Sequence, residues 1–232
     1  MLTTDTLEIA EPAASEAPTA PVVALVATRQ PAVAPDSNAP STTTWPVFRL
    51  SLEQYHGMVA ANILGEDEPC ELLEGVLVKK TSKNSPHNTS CNLINRILGR
   101  LLPLGWFLAR ENSIELKTSI SEPEPDGAVL RGDKREYSSR LPGPTDIALV
   151  VEVADSSLAI DREKGRVYAR DLIPTYWIIN LLERTLEVYT NPSADAADPR
   201  YRDLKTFGLD DEVPIKLDGV EIARVAVKDL LP

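Results

Sequence analysis

The sequence predicts a mixed α/β domain, a partly parallel sheet flanked by helices, and three observations carry that reading. Ile147-Ala-Leu-Val-Val-Glu-Val153 is an apolar run with one charge in it, the pattern of a strand buried on both faces. A helical segment, Asp161 to Leu172, separates it from a second apolar strand, Thr175 to Leu181, and such an order implies a right-handed crossover between parallel strands. Upstream, Leu93, Ile94, Ile97, Leu98, Leu101 and Leu102 recur at helical spacing.

The remaining elements follow in order. Residues 1–44 are rich in Ala, Pro, Thr and Ser without sustained period, and they read as a disordered tail that cannot bury enough apolar surface to offset its ordering entropy. A folded domain is expected over residues 45–232. Ser51-Leu-Glu-Gln54 reads as a capping box that opens a helix running to about Asn62. Glu71-Leu-Leu-Glu-Gly75 leads through a glycine turn into a strand, Val76 to Lys80. Ser85-Pro86 opens the amphipathic helix, which Pro103 and Gly105 close. Strands are expected at Trp106 to Ala109, at Ser113 to Thr118 from its alternation, and at Asp126 to Leu130. After the crossover helix, Thr175–Leu181 and Thr185–Thr190 form a hairpin, and two short strands and a turn complete the chain.

Composition narrows the function. The chain of 232 residues carries a net charge of -11. Residues 1–44 hold five acids and one base, net -4, which leaves -7 for the rest. A dedicated nucleic-acid binder usually carries a basic excess, so contact with phosphates needs a local patch or a bound cation. Cys70 and Cys91 fit no zinc pattern and read as free thiols of a reducing cytosol, with no secretory signal and no membrane-spanning run. No glycine-rich phosphate loop and no Gly-x-Ser-x-Gly elbow is present.

The chemistry concentrates in a few residues. Glu152 interrupts an apolar strand, where a charge is costly unless paired or bound to metal; the structural alternative is an arginine partner at the strand end. Asp126 follows proline at the mouth of a short strand, where it is either a turn cap or a second oxygen ligand. Asp161, Lys164, Tyr168 and Asp171 recur at steps of three or four and share a helix face. Lys164 can stabilise charge on a phosphate or simply pair with Asp161. His87, in a first helical turn, is a cap or a proton shuttle. Glu71 and Glu74 are further candidate acids or turn residues. Tyr168, Tyr176 and Trp177 read as packing.

Taken together, Pro125-Asp126, Val150-Val-Glu152-Val, Asp161-x-x-Lys164-x-x-x-Tyr168 and Ile173-Pro-Thr-Tyr-Trp-Ile178 resemble the Uma2 family of PD-(D/E)xK endonucleases, as do Glu71-Leu-Leu-Glu-Gly75 and His87. The match runs from about residue 48 to the C-terminus. The resemblance implies a restriction-endonuclease-like core, with Asp126 and Glu152 as ligands of Mg²⁺ or Mn²⁺ and Lys164 in the lysine role. The lysine that usually stands two residues after the acid is replaced by Ala154, and the Uma2 pattern displaces it to the next helix. The expected activity is metal-dependent hydrolysis of nucleic acid, DNA before RNA, with Asp126, Glu152, Lys164, His87 and Glu71 in the site. The alternative is an inactive interaction module on the same scaffold. An exposed hairpin edge at Thr185 to Thr190 offers a homodimer.

Overall fold

The computed structural model describes residues 46–65, 68–195 and 197–232; the expected tail over residues 1–44 lies outside the described residues. Helix α1 (Leu52–Ala60) opens on the expected capping box, in which Ser51 Oγ accepts from the Gln54 amide and Gln54 Oε1 accepts from the Ser51 amide. Strands β1 (Cys70–Leu73) and β2 (Val76–Lys79) form an antiparallel hairpin. Its turn is Glu74-Gly75, both at positive φ, the geometry of a two-residue primed turn. A Cβ at Gly75 would lie 2.9 Å from the Leu50 carbonyl oxygen, so only glycine fits there. The Glu71–Leu73 stretch, read only as an approach to a strand, is thus a strand itself.

Helix α2 (Ser85–Leu101) is capped by Asn84, one residue before the expected serine, because the Asn84 side chain reaches the His87 amide at 3.0 Å. The main sheet has six strands in the order β3 (Trp106–Ala109), β4 (Gly127–Arg131), β5 (Ile147–Ala154), β6 (Thr175–Asn180), β7 (Thr185–Ser193) and β8 (Arg200–Phe207). Among the described residues only the β5–β6 pair is parallel, and helix α3 (Leu158–Arg170) connects it. Every residue of β5 is buried. From Leu149 on, odd positions face α2 with Cys91, Ile94 and Leu98. Even positions face α3, where Val150 and Ala154 pack with Val167 and Tyr168. A second hairpin, β9 (Glu212–Leu217) and β10 (Val220–Ala226), joins the α2 side of the core.

Three expectations change. Ser113 to Thr118 makes a single bridge, Leu116 to Ser121, rather than a strand. Its neighbours are proline-rich loops, and the amides of Ile114 and Glu115 bind the carbonyls of Pro123 and Pro142, which have no N–H to return. Its alternation is real, since Ile114 and Leu116 are fully buried. The C-terminal region holds three strands instead of two, because β8 adds to β7 through seven residue pairs. That pairing also removes the exposed edge on which a homodimer was expected: β7 is covered on both sides. Among the described residues, no helix is long and apolar enough to cross a membrane.

Candidate active site

The end of the sheet where β4 begins and β5 finishes gathers the acids. Gly127 pairs with Val151, which sets Asp126 opposite Glu152. The Asp126 amide donates to Glu152 Oε2 at 3.3 Å, and the Val153 amide donates to Asp126 Oδ2 at 2.8 Å. Each carboxylate therefore accepts from a backbone amide. Glu152 points to the α3 side, as the alternation of β5 requires. There Lys164 Nζ donates to Glu152 Oε1 at 3.1 Å and to Glu71 Oε1 at 2.8 Å. The Tyr168 hydroxyl donates to the same Glu152 oxygen at 2.9 Å.

Glu71 arrives from β1, which meets the sheet region through the bridge Leu72 to Glu122. Its other oxygen accepts from the Glu124 amide. His87, one turn into α2, places Nε2 at 3.1 Å from Asp126 Oδ2 and Nδ1 at 3.6 Å from Cys91 Sγ. Lys83, in the exposed loop before α2, sits 3.1 Å from Asp126 Oδ1 and 2.9 Å from Glu111 Oε1. These groups line a small cleft of about 50 Å³, enough for an ion and a water or two. A larger cavity of about 410 Å³ beside Phe107, Tyr137 and Arg140 contains no acid and lies away from this cluster.

Five sequence candidates, Glu71, His87, Asp126, Glu152 and Lys164, thus converge. Glu152 pairs with a lysine of the site and not with an arginine elsewhere. Two other candidates do not join. Glu74 sits in the hairpin turn and pairs with Arg170. Asp171 shares the expected face only if α3 continues, but α3 ends at Arg170 and Asp171 instead accepts from the amides of Thr118 and Ser119. Three residues were missed in part or whole. Tyr168 packs in the core as expected, yet its hydroxyl serves Glu152. Asp161 joins the cleft from the first turn of α3. Lys83 carried only the weak signal of a lysine near two others, Lys79 and Lys80.

The electrostatics follow from burial and unequal numbers. Burial pushes Glu152 up to about 8, against the pull of Lys164 and with the help of Asp126 and Asp161. Asp161 is likewise raised by burial, to about 6. Burial pulls Lys164 down, but Glu152 and Glu71 outweigh it and hold the ammonium above its ordinary range. The directions agree if Lys164 stays charged, with Glu71 as its closest partner, and Glu152 bears the cost of desolvation. Asp126 is lowered despite burial, because His87 and Lys83 favour its charged form. His87 is correspondingly raised to about 10, its hydrogen bond to Asp126 outweighing burial.

The donor set suits a hard divalent cation. Asp126 and Glu152 offer carboxylate oxygens held by rigid strands, and magnesium takes one or two carboxylates with waters and phosphate oxygens completing its shell. The raised Glu152 is also the group that an added positive charge would return to its ionised form. His87, Cys91 and Asp126 form the one cluster of mixed donors close enough to share an ion among the described residues.

A family model described as "Putative restriction endonuclease", Uma2, matches residues 52–224. Among solved structures, the chain is similar to "a putative nuclease belonging to DUF820" from Anabaena variabilis ATCC 29413, at 16% identity and a TM-score of 0.57, covering 80% of this chain and 97% of that one. At that identity the likeness shows the fold, a restriction-endonuclease-like mixed sheet flanked by helices. No curated protein matches the chain. With the family model spanning α1 to β10, the chain belongs to the Uma2 family.

Proposed function

We propose that this protein is a metal-dependent endonuclease that hydrolyses phosphodiester bonds of DNA. The observation that carries this reading is Glu152: a buried carboxylate opposite Asp126, with an ammonium from the next helix 3.1 Å away, at the wall of a cleft. Asp126 and Glu152 would hold Mg²⁺ or Mn²⁺, which when bound polarises the phosphate and lowers the pKa of water. Lys164 keeps one positive charge beside that position, where negative charge builds on the phosphate during attack. Its helix supplies what Ala154, two residues after Glu152, cannot, because α3 lies over the same face of β5. Glu71 holds Lys164 in place, and Tyr168 fixes the Glu152 oxygen that Lys164 shares. His87 orients Asp126 through Nε2.

DNA is proposed as substrate because the family is one of restriction endonucleases by description. A cytoplasmic setting accords with the two free thiols, Cys70 and Cys91. The test is cleavage of plasmid and single-stranded DNA in Mg²⁺ or Mn²⁺ by the wild type, Glu152→Gln and Lys164→Ala. Metal-dependent cutting that both substitutions abolish supports the reading. Equal cutting by all three proteins, or none by the wild type, overturns it.

A further inference from the structure

Two of the ammonium groups at the cleft pair with its buried acids, and they are held very differently. Lys164 stands on a regular helix, its side chain 8% exposed, and bridges two buried carboxylates. Lys83 stands in the loop between β2 and α2, its side chain 32% exposed, and bridges buried Asp126 to exposed Glu111. The Lys83 ammonium lies 3.1 Å from Asp126 Oδ1. A divalent cation on the same oxygen would sit roughly 2.1 Å from it. The two positive charges would then be no more than roughly 5 Å apart in a buried, weakly screened site. They repel, so a metal on that oxygen loosens the hold of whichever ammonium is less firmly anchored. The loop lysine is the one placed to leave, since it stands on no regular element and its second partner, Glu111, is exposed, whereas Lys164 is buried on a helix between two buried acids.

We propose that Lys83 is an exchangeable counter-ion of Asp126, occupying the cation position until a divalent metal displaces it. The inference rests on the reading of Asp126 as a metal ligand. The charge of Asp126 is thus offset without a resident ion. Metal entry is a competition, and Lys83 sets its midpoint. Once released, Lys83 joins Lys79 and Lys80 on the rim of an acidic cleft, the side from which a phosphate backbone approaches. Glu111 has a part in the same balance. By sharing the ammonium it weakens the hold of Lys83 on Asp126.

The test uses Mn²⁺ alone as the probe, with affinity read by titration calorimetry or by the electron paramagnetic resonance of free Mn²⁺. Lys83→Gln should bind Mn²⁺ about threefold to tenfold more tightly than the wild type. Glu111→Gln should bind it more weakly, and that effect should shrink in the double variant, because it acts through Lys83. The Glu111 arm separates displacement from mere repulsion at a distance, because only an ammonium shared between Glu111 and Asp126 makes the two substitutions non-additive. Wild-type binding with an equal or weaker Lys83→Gln overturns the inference and leaves the nuclease reading standing. No Mn²⁺ binding by either protein overturns both. Circular dichroism of each variant separates loss of fold from loss of site.

Discussion

Helix α3 carries two basic residues two positions apart, and each meets a buried glutamate on the sheet. Arg162 holds Glu187 of β7 through two hydrogen bonds, Nε at 3.2 Å and a second from an η nitrogen, and the Tyr189 hydroxyl adds a third. Lys164 holds Glu152 of β5, with Tyr168 adding a hydroxyl in the same way. The two clusters look alike in kind, yet the acids respond in opposite senses. Glu187 is lowered, because Arg162 and Tyr189 outweigh burial. Glu152 is raised to about 8, because burial outweighs one shared ammonium. One cation serves one carboxylate at the first site. At the second it serves two, with Asp126 and Asp161 nearby. The difference teaches that a buried charge does not mark a functional site by itself; an excess of one sign does.

The comparison can be broken most directly at the cations. Lys164→Ala leaves Glu71 and Glu152 without their shared counter-ion and should cost about 3 kcal/mol or more of stability along with cleavage. Arg162→Ala, whose side chain is half exposed, should cost about 1–2 kcal/mol and spare cleavage. Urea melts and plasmid assays on both would show it, and equal costs would remove the distinction.

At the acids the roles separate further. Glu152→Gln should lower metal-dependent cleavage by about a hundredfold or more while leaving the metal-free fold as stable as before or more so. Glu187→Gln should leave the cleavage rate within about twofold and destabilise the fold by about 1–3 kcal/mol. A stable, inactive Glu187→Gln would contradict the assignment of that pair to structure.

The pH dependence of stability in metal-free buffer sharpens the contrast, because the two acids give slopes of opposite sign. Glu187 has a folded value below its ordinary 4.5. Its contribution is present above 4.5 and is lost as pH falls through the folded value. Glu152 has a folded value of about 8, above its ordinary 4.5. Its contribution is present below 4.5 and is lost as pH rises toward 8. Subtracting the Glu187→Gln or Glu152→Gln melting curve from that of the wild type isolates each slope. The same sign for both would sink the argument from charge imbalance. The smallest effect is expected from Tyr168→Phe, which removes one hydrogen bond to Glu152: about 1 kcal/mol of stability and a few-fold loss of cleavage.

Much of the site was legible in the chain, and each miss has a physical cause. Glu152 stood out because a charge inside Leu149-Val-Val-Glu-Val has few bland explanations. Lys83 looked like any loop lysine, since its importance depends on where the loop folds back and not on its neighbours in sequence. Tyr168 was read correctly as core but incompletely, because a ring can pack while its hydroxyl reaches a carboxylate. Glu71 and Glu74 could not be told apart while Cys70–Leu73 was not recognised as a strand. Three residues apart, they fall on opposite faces, and Glu74 enters the turn.

By itself the sequence determined the buried parallel pair of strands, the two amphipathic helices and the acid embedded in β5, because period and hydrophobicity are local properties written residue by residue. The tertiary structure alone decided which charges meet. Antiparallel register sets Asp126 against Glu152, the crossover lays Lys164 over the face of β5 where Ala154 has no charge to offer, and a loop 43 residues upstream in sequence brings Lys83 to Asp126. Those contacts depend on register and loop closure, which no local pattern encodes.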